Sequence, residues 1–215
     1  MLGILFKSKC KICARDISEG ALCMTCDNKI KSKAALRTRI VVGKDGKEYE
    51  CRYLFDYNDL NVKRLLYALK RNADKELMKY VCSLYRSMLQ LEEEWAAVNV
   101  PRRRVSIRNF GYDQVADPLK MLCKTEKHLT YVPLLRRRGF AVDQKNLSRA
   151  DREKNMSGKF AVRKKDIPKN ILLFDDVVTT GSTALSCINA IEKQRSNVNI
   201  VGVFLASTGR GTPCK

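Results

Sequence analysis

The sequence is poor in the features that mark membrane-spanning chains and histidine-dependent enzymes. It contains no uninterrupted run of about 18 apolar residues, so no segment is predicted to cross a bilayer as a helix. Its first residues, MLGILFKSKC, lack a basic n-region, a long apolar stretch and a small-residue cleavage site, and we expect no signal peptide. His128 is the only histidine, which gives no support to a serine or cysteine hydrolase that uses histidine as its base.

Cysteine, in contrast, is abundant. Nine cysteines in a chain without an export signal favour a reducing compartment, where thiols bind metal or stay buried, and we predict a cytoplasmic protein. Two Cys-x-x-Cys pairs, Cys10 with Cys13 and Cys23 with Cys26, are separated by nine residues. Two such pairs can present four thiolates to one structural zinc ion. A redox pair or two disulfides are the alternatives, but a redox motif normally lies at a βα junction and disulfides are rare in the cytosol.

The charge of the chain is strongly positive. Lysine and arginine number 42 against 23 acidic residues, giving a net charge of +19. Such an excess favours polyanionic partners: nucleic acid, a phosphorylated small molecule or an anionic lipid surface. A proteome that is basic throughout would give the same value, so charge alone selects none of these partners.

The pattern of apolar residues divides the chain into three parts. Residues 1–35 hold the cysteine pairs; residues 36–92 are predicted as connecting strands and helices packed on the core, with a hairpin turn at 43–46 and two helices broken near Asn72; residues 93–215 form the main domain. In this third part, predicted strands at 95–100, 129–135, 171–174 and 198–205 alternate with helices at 112–123 and 183–193. This alternation predicts an α/β fold with a parallel sheet, in which ligands bind at the carboxyl ends of the strands.

The most informative segment follows the predicted strand at 171–174. Two adjacent carboxylates come first, and a hydroxyl-rich stretch around one glycine follows just before a helix: Asp175, Asp176, Val177, Val178, Thr179, Thr180, Gly181, Ser182 and Thr183. Carboxylates accept hydrogen bonds from vicinal ribose hydroxyls, and a glycine at a helix N-terminus allows a phosphate to approach free N–H groups. The segment therefore predicts a ribose 5-phosphate site. The alternative is a helix N-cap cluster after a solvated turn; a Walker loop is excluded because no Gly-Lys-Ser/Thr follows.

This segment resembles the phosphoribosyl-pyrophosphate (PRPP) signature of type I phosphoribosyltransferases, and the chain as a whole resembles the ComF family of competence-associated proteins. Three further stretches carry the closer resemblance. Residues 108–114 are similar to a Gly-Phe-Asn-Gln segment, with Gly111 and Gln114 kept and Phe110 in place of an arginine; residues 144–156 contain a Leu-Ser-Arg-Ala segment at 147–150; and the N-terminal cysteine pairs belong to the same pattern. The resemblance implies a type I phosphoribosyltransferase fold with a small N-terminal zinc ribbon.

The resemblance also implies roles for the surrounding loops. Pro101, Arg102 and Arg103 correspond to a pyrophosphate loop that binds PRPP together with magnesium, although a basic surface loop is the simpler interpretation of any one arginine. Residues 136–155 correspond to a lid that closes over the pyrophosphate. Some relatives have an acidic base where this chain has Thr179, so the catalytic group is unknown. The candidates for it are Lys145, Arg152 and Lys154.

Membership of that family implies a part in natural transformation, in which single-stranded DNA is handled in the cytoplasm beside uptake machinery at the inner face of the membrane. Arg102, Arg103 and Arg137 are the candidate DNA contacts, because cations bind the phosphate backbone. Two other functions stay open. One is a catalytically inactive DNA-binding module with PRPP as its regulator, and the other is a small-molecule phosphoribosyltransferase with no part in DNA uptake.

Overall fold

The structure is a computed structural model that describes residues 8–71, 74–138, 158–163, 166–209 and 211–213, without the side chain of Arg104. Its strands are β1 (Ser8–Lys9), β2 (Asp16–Ile17), β3 (Arg37–Val42), β4 (Glu48–Asp56), β5 (Trp95–Asn99), β6 (Leu129–Tyr131), β7 (Leu135–Arg137), β8 (Phe160–Val162), β9 (Asn170–Val178), β10 (Asn199–Ser207) and β11 (Thr212–Pro213). Its helices are α1 (Met24–Lys31), α2 (Leu60–Arg71), α3 (Lys75–Arg86), α4 (Arg104–Phe110), α5 (Ala116–Leu122) and α6 (Ser182–Glu192). No helix of these ranges has the length and apolar character needed to cross a membrane.

The central sheet has seven strands in the order β11-β3-β4-β10-β9-β5-β6. The five strands from β4 to β6 pair in parallel, and β3 and β11 add antiparallel pairs at one edge. The predicted α/β fold with a parallel sheet is therefore confirmed. The chain leaves β5 for β6 on one side and returns to β9 and then β10 on the other, so the strand order reverses between β5 and β9. Such a reversal opens a crevice at the carboxyl ends of the two strands, where ligands bind in open α/β sheets.

The sheet is buried on both faces, as the continuous apolar runs of its strands require. Along β9, Leu172 and Phe174 face one cluster, which includes α2, α3 and α5. Ile171 and Leu173 face a second cluster, which includes α6 and the β7–β8 hairpin. Tyr85 of α3 packs edge-on against Phe174 at 5.2 Å between ring centroids and donates a hydrogen bond to the backbone carbonyl of Asp175 at 3.2 Å. The end of β9 is thus held rigidly where the aspartates begin.

The N-terminal cysteine module packs against the same core. Ile30 of α1 is fully buried in the cluster that contains Leu77 of α3, and Lys11 forms an ion pair with Asp74, the N-cap of α3, at 2.8 Å. The helical break expected near Asn72 falls between α2 and α3. The module and the sheet domain therefore share apolar contacts.

Three details of the predicted elements differ in the structure. The single strand predicted at 129–135 is two strands in different sheets, because Pro133 has no N–H for a ladder and Leu134 N turns back to Val132 O at 2.7 Å. Residues 104–110, for which no helix was predicted, form α4, which ends at Gly111 in the left-handed conformation with φ 74°. The strand predicted to end at Phe174 continues as β9 to Val178, so both aspartates lie within it.

Candidate functional site

The crevice between β5 and β9 brings two predicted segments together. Asn99 lies opposite Phe174 in the parallel register, and Val100 N donates to Phe174 O at 2.9 Å. The Pro101–Arg103 loop, which follows β5, therefore begins beside the Asp175–Asp176 pair near the end of β9. Segments separated by more than 70 positions in the sequence meet at the edge where the fold class predicts a ligand.

The two carboxylates at this edge have different surroundings. Asp176 accepts a hydrogen bond from Gln114 Nε2 at 2.7 Å and lies 3.2 Å from the ammonium of Lys70, at the end of α2. Asp175 accepts a hydrogen bond from Asp176 N at 2.9 Å. Burial, and then the neighbouring charge of Asp176, raises the pKa of the Asp175 carboxyl well above its usual range. Ionising both carboxylates is therefore costly, and hydroxyl groups or a cation would offset that cost.

The loop after β9 is shaped by Gly181. Its φ is +80°, and a Cβ at this position would lie 2.5 Å from Val41 Cγ1 of β3, so both the backbone conformation and the space require glycine. Thr180 Oγ1 accepts from Ser182 N at 3.3 Å, and the N-cap residue, Gly181, has no side chain with which to cap α6. The remaining N–H groups of the first helical turn have no acceptor within the helix and face a loop with exposed Thr179 and Thr180. This end of α6 is suited to an anion.

Arg39 of β3 contacts this loop, a contact that could not be predicted from the sequence. Its Nη1 donates to Thr179 O at 2.7 Å and to Ser207 Oγ at 3.1 Å, and Ser207 is the last residue of β10. Arg39 thus joins the loop to the neighbouring strand and places a positive charge beside the predicted phosphate position. Lys70 was likewise not predicted as a site residue, and Gln114 was recognised only as part of a motif. Each comes from a segment remote in sequence, so only the motif around Gln114 gave a signal.

Arginines gather on the other side of the crevice. The positive charge of Arg103, after the effect of burial, lowers the pKa of Arg137, so these two guanidinium groups are close enough to repel. Arg102 Nη1 and Arg137 Nε are buried and have no hydrogen-bond partner among the described residues. Arg102 lies over the ring of Phe110 at 5.7 Å, and Arg137 lies over Phe160 at 5.2 Å. A cluster of cations that repel one another, two of them with an unused N–H group, is suited to a phosphate or diphosphate.

Other residues singled out from the sequence are either outside the described residues or away from the crevice. Lys145, Arg152, Lys154 and the Leu-Ser-Arg-Ala segment fall outside the described residues, as does most of the predicted lid. His128 is half-exposed and lies 3.0 Å from Glu94, far from the crevice in the fold. The described residues near Asp175 include no acidic group at position 179, because Thr179 occupies it and its carbonyl is engaged by Arg39.

The four N-terminal cysteines form a second candidate site. Their Sγ atoms all lie within 4.8 Å of one another, and Cys13 Sγ is 3.7 Å from Cys23 Sγ. Four Zn–S bonds of about 2.3 Å in a tetrahedron place the sulfurs about 3.8 Å apart, so the cluster fits a zinc ion. Burial would raise the pKa of the Cys10 thiol, but N–H groups of Cys23, Cys13 and Ile12 outweigh it and lower that pKa to about 6. With four thiolates bound, the ion would have no open position for catalysis.

Comparisons with known proteins find a similar solved structure and no matching family. No family model matches the chain, and no curated protein matches it. Among solved structures the chain is similar to orotate phosphoribosyltransferase from Aeropyrum pernix, with 18% identity and a TM-score of 0.37 over 86% of this chain and 82% of that one. A TM-score of this size is too low to support conclusions about the site, which is therefore interpreted from its own residues.

Proposed function

We propose that the protein binds PRPP in the crevice between β5 and β9. The observation that carries this proposal is the meeting of three chemically distinct elements at one sheet edge: the adjacent carboxylates Asp175 and Asp176, the N-terminus of α6 at Gly181, and the arginines that follow Pro101. PRPP has one group for each of them. Its ribose hydroxyls donate to the aspartates, its 5-phosphate faces α6, and its diphosphate faces Arg102 and Arg103.

Magnesium fits this proposal through the charges of the site. Magnesium usually binds through substrate phosphates and one or two carboxylates, and the half-buried Asp175–Asp176 pair could supply the latter. In the proposed complex the ion neutralises the diphosphate, while Lys70 and Gln114 keep Asp176 in position. The described residues near Asp175 include no clear base, so binding is better supported than transfer to an acceptor.

For the biological role we propose the handling of incoming single-stranded DNA in the cytoplasm during natural transformation, as in the ComF family. The net charge of +19 and the arginines beside the crevice support an extended polyanion as partner. Contact with the DNA-uptake machinery follows from the resemblance alone. A PRPP-regulated DNA-binding module without turnover is the second candidate, and Thr179 in the position of a base favours it.

The test of PRPP binding is a thermal shift with PRPP and magnesium. We expect the melting temperature to rise, because a ligand that binds only the folded protein stabilises it. At a ligand concentration of 100 times Kd, the free energy of unfolding increases by about 2.7 kcal/mol. Replacing both Asp175 and Asp176 by Asn should remove the rise without unfolding the protein. Replacing exposed Asp45, which lies in the β3–β4 turn, is the matched control and should keep the rise. An equal rise in the double variant would refute the assignment of the ribose.

A further inference from the structure

A large cleft adjoins the proposed PRPP site without including its aspartates. Its volume is about 1190 Å³, and its described lining runs from Asn99 and Pro101 through α4 and the start of α5 to Tyr131 and the β7–β8 hairpin. Pockets that hold one drug-sized ligand measure about 300–1000 Å³. The cleft therefore has room for a second ligand beside a sugar diphosphate.

The lining of the cleft is strongly cationic. It includes six arginines: Arg102, Arg103, Arg136, Arg137, Arg138 and Arg163. Among the described residues none of the six forms an ion pair. The two acids that line the cleft are already engaged, since Asp113 caps the first turn of α5 and Asp117 pairs with Lys120 at 2.8 Å. These acids therefore do not neutralise the arginines, which exceed what one diphosphate needs.

The same lining includes apolar and aromatic side chains. Val105 is 64% exposed, and Ile107, Tyr131 and Pro133 line the cleft with it. The hydroxyl of Tyr131 donates to Asn99 Oδ1 at 3.1 Å, which fixes the ring at the end of β5 and β6. Aromatic and apolar side chains next to a phosphate-binding groove are the composition used to hold the bases of a single strand.

The cationic lining continues past the cleft. A second cavity of about 310 Å³ lies between the β7–β8 hairpin and α6, and Arg136, Arg138 and Arg163 line it as well, together with Lys193. Arg163 is held in place by the hydrogen bond from its Nε to Leu135 O at 3.0 Å. The hairpin therefore presents arginines to both cavities, which favours an extended strand over a ligand with a single phosphate.

We propose that the cleft binds a nucleotide unit of single-stranded DNA, with its base against apolar lining residues such as Val105 or Tyr131 and its phosphates along the arginines of the β7–β8 hairpin. This inference deepens the proposed function and rests on it, because it names the surface on which the strand lies next to PRPP. The strand and PRPP then occupy adjoining sites, and the arginines at the boundary, Arg102 and Arg103, face both.

The experiment uses the full chain and a fluorescently labelled oligothymidylate, with binding measured by anisotropy over a range of salt concentrations. The test variant is Arg136→Gln with Arg138→Gln, which leaves the proposed PRPP residues unchanged. The matched control is Lys29→Gln with Lys33→Gln, two exposed lysines of the cysteine module that carry the same charge. A third variant, Val105→Ser, removes an apolar lining side chain at an exposed position without changing the charge.

We expect the arginine pair to lower the slope of log affinity against log salt by about 1.4, since each phosphate contact with a single strand contributes about 0.7. Val105→Ser should weaken binding at every salt concentration and leave the slope unchanged. Thymidine 5′-monophosphate should compete more strongly than thymidine or inorganic phosphate, and the oligothymidylate more strongly than the mononucleotide.

Three outcomes would overturn the inference. Unchanged binding in the arginine pair with a loss in the lysine pair would move the strand to the cysteine module. Competition by the mononucleotide equal to that by the oligothymidylate would make the ligand a free nucleotide. Absence of oligothymidylate binding in the wild type would remove the strand altogether. A PRPP thermal shift measured on the same proteins reports the proposed function separately, because it is expected to survive in all three variants.

Discussion

The proposed phosphate site at the start of α6 can be tested by adding a single methyl group at Gly181. In Gly181→Ala the backbone would keep a φ of +80°, which costs an L-residue about 1–2 kcal/mol. The added Cβ would also lie 2.5 and 2.8 Å from the two Cγ atoms of Val41, and overpacking of this kind costs about 1–3 kcal/mol. The free energy of unfolding should therefore fall by about 2–5 kcal/mol, and PRPP should no longer stabilise the protein because the loop must move to relieve the contact.

Gly46 provides the control for backbone strain alone. Its φ is also +80°, but a Cβ there would meet no atom within 4 Å, so Gly46→Ala should cost only about 1–2 kcal/mol. Urea unfolding of both variants separates the strain from the clash. In a Val41→Ala background the cost of Gly181→Ala should fall towards that of Gly46→Ala, because the methyl groups it would meet are gone. A Gly181→Ala cost no larger than that of Gly46→Ala in the wild-type background would refute the reasoning.

Three further predictions follow from the same sites. The Arg39→Ala variant leaves Thr179 O without its donor and removes a charge beside the loop. Its affinity for PRPP, measured by calorimetry, should fall about tenfold, which corresponds to a loss of about 1.4 kcal/mol. The control variant Arg52→Ala, which removes the partner of Glu50, should bind PRPP with unchanged affinity. Because burial raises the pKa of Asp175, this carboxyl favours folding only while it is protonated, and its contribution to stability is lost as pH rises through the raised pKa. The Asp175→Asn variant should therefore be more stable than the wild type at neutral pH and should lose that advantage below the usual aspartate pKa. A difference in melting temperature that does not change with pH would contradict this. Elemental analysis should find about one zinc ion per chain. The Cys10→Ser variant should lose the ion, and its free energy of unfolding should fall by about 1.5–3 kcal/mol or more, which is the contribution of burying Ile30. A zinc-free protein of unchanged stability would exclude the metal.

The strands could be predicted from the sequence where local pattern determines them, but their order could not. The apolar runs of β5, β9 and β10 and the turn between β3 and β4 are local signals, and each predicted element is present. The parallel pairing of β4 with β10 joins residues about 150 positions apart, and no local pattern encodes it. The boundary at Pro133 was misjudged because apolar character continues through the residues where the chain changes sheet.

The site shows the same division between local and remote residues. The Asp175–Thr183 segment could be predicted because its carboxylates, hydroxyls and glycine follow one another in a single loop. Arg39 and Lys70 could not, since they reach that loop from β3 and α2 through the packing of the sheet. Gln114 lay in a recognised motif, but its role as the donor to Asp176 required the structure.

The residues of the crevice that are least favourable for folding also indicate which ligand would relieve them. Asp175 is a half-buried carboxylate with a raised pKa beside a second carboxylate, and Arg103 and Arg137 are cations that repel each other on the opposite side. A metal ion alone would neutralise the aspartates and leave the arginines unpaired, while free pyrophosphate would do the reverse. A sugar diphosphate with its magnesium ion would satisfy both sides at once. Its stabilisation of the protein should therefore exceed that by magnesium and pyrophosphate together, and a shift no larger than theirs would show that the ribose contributes nothing.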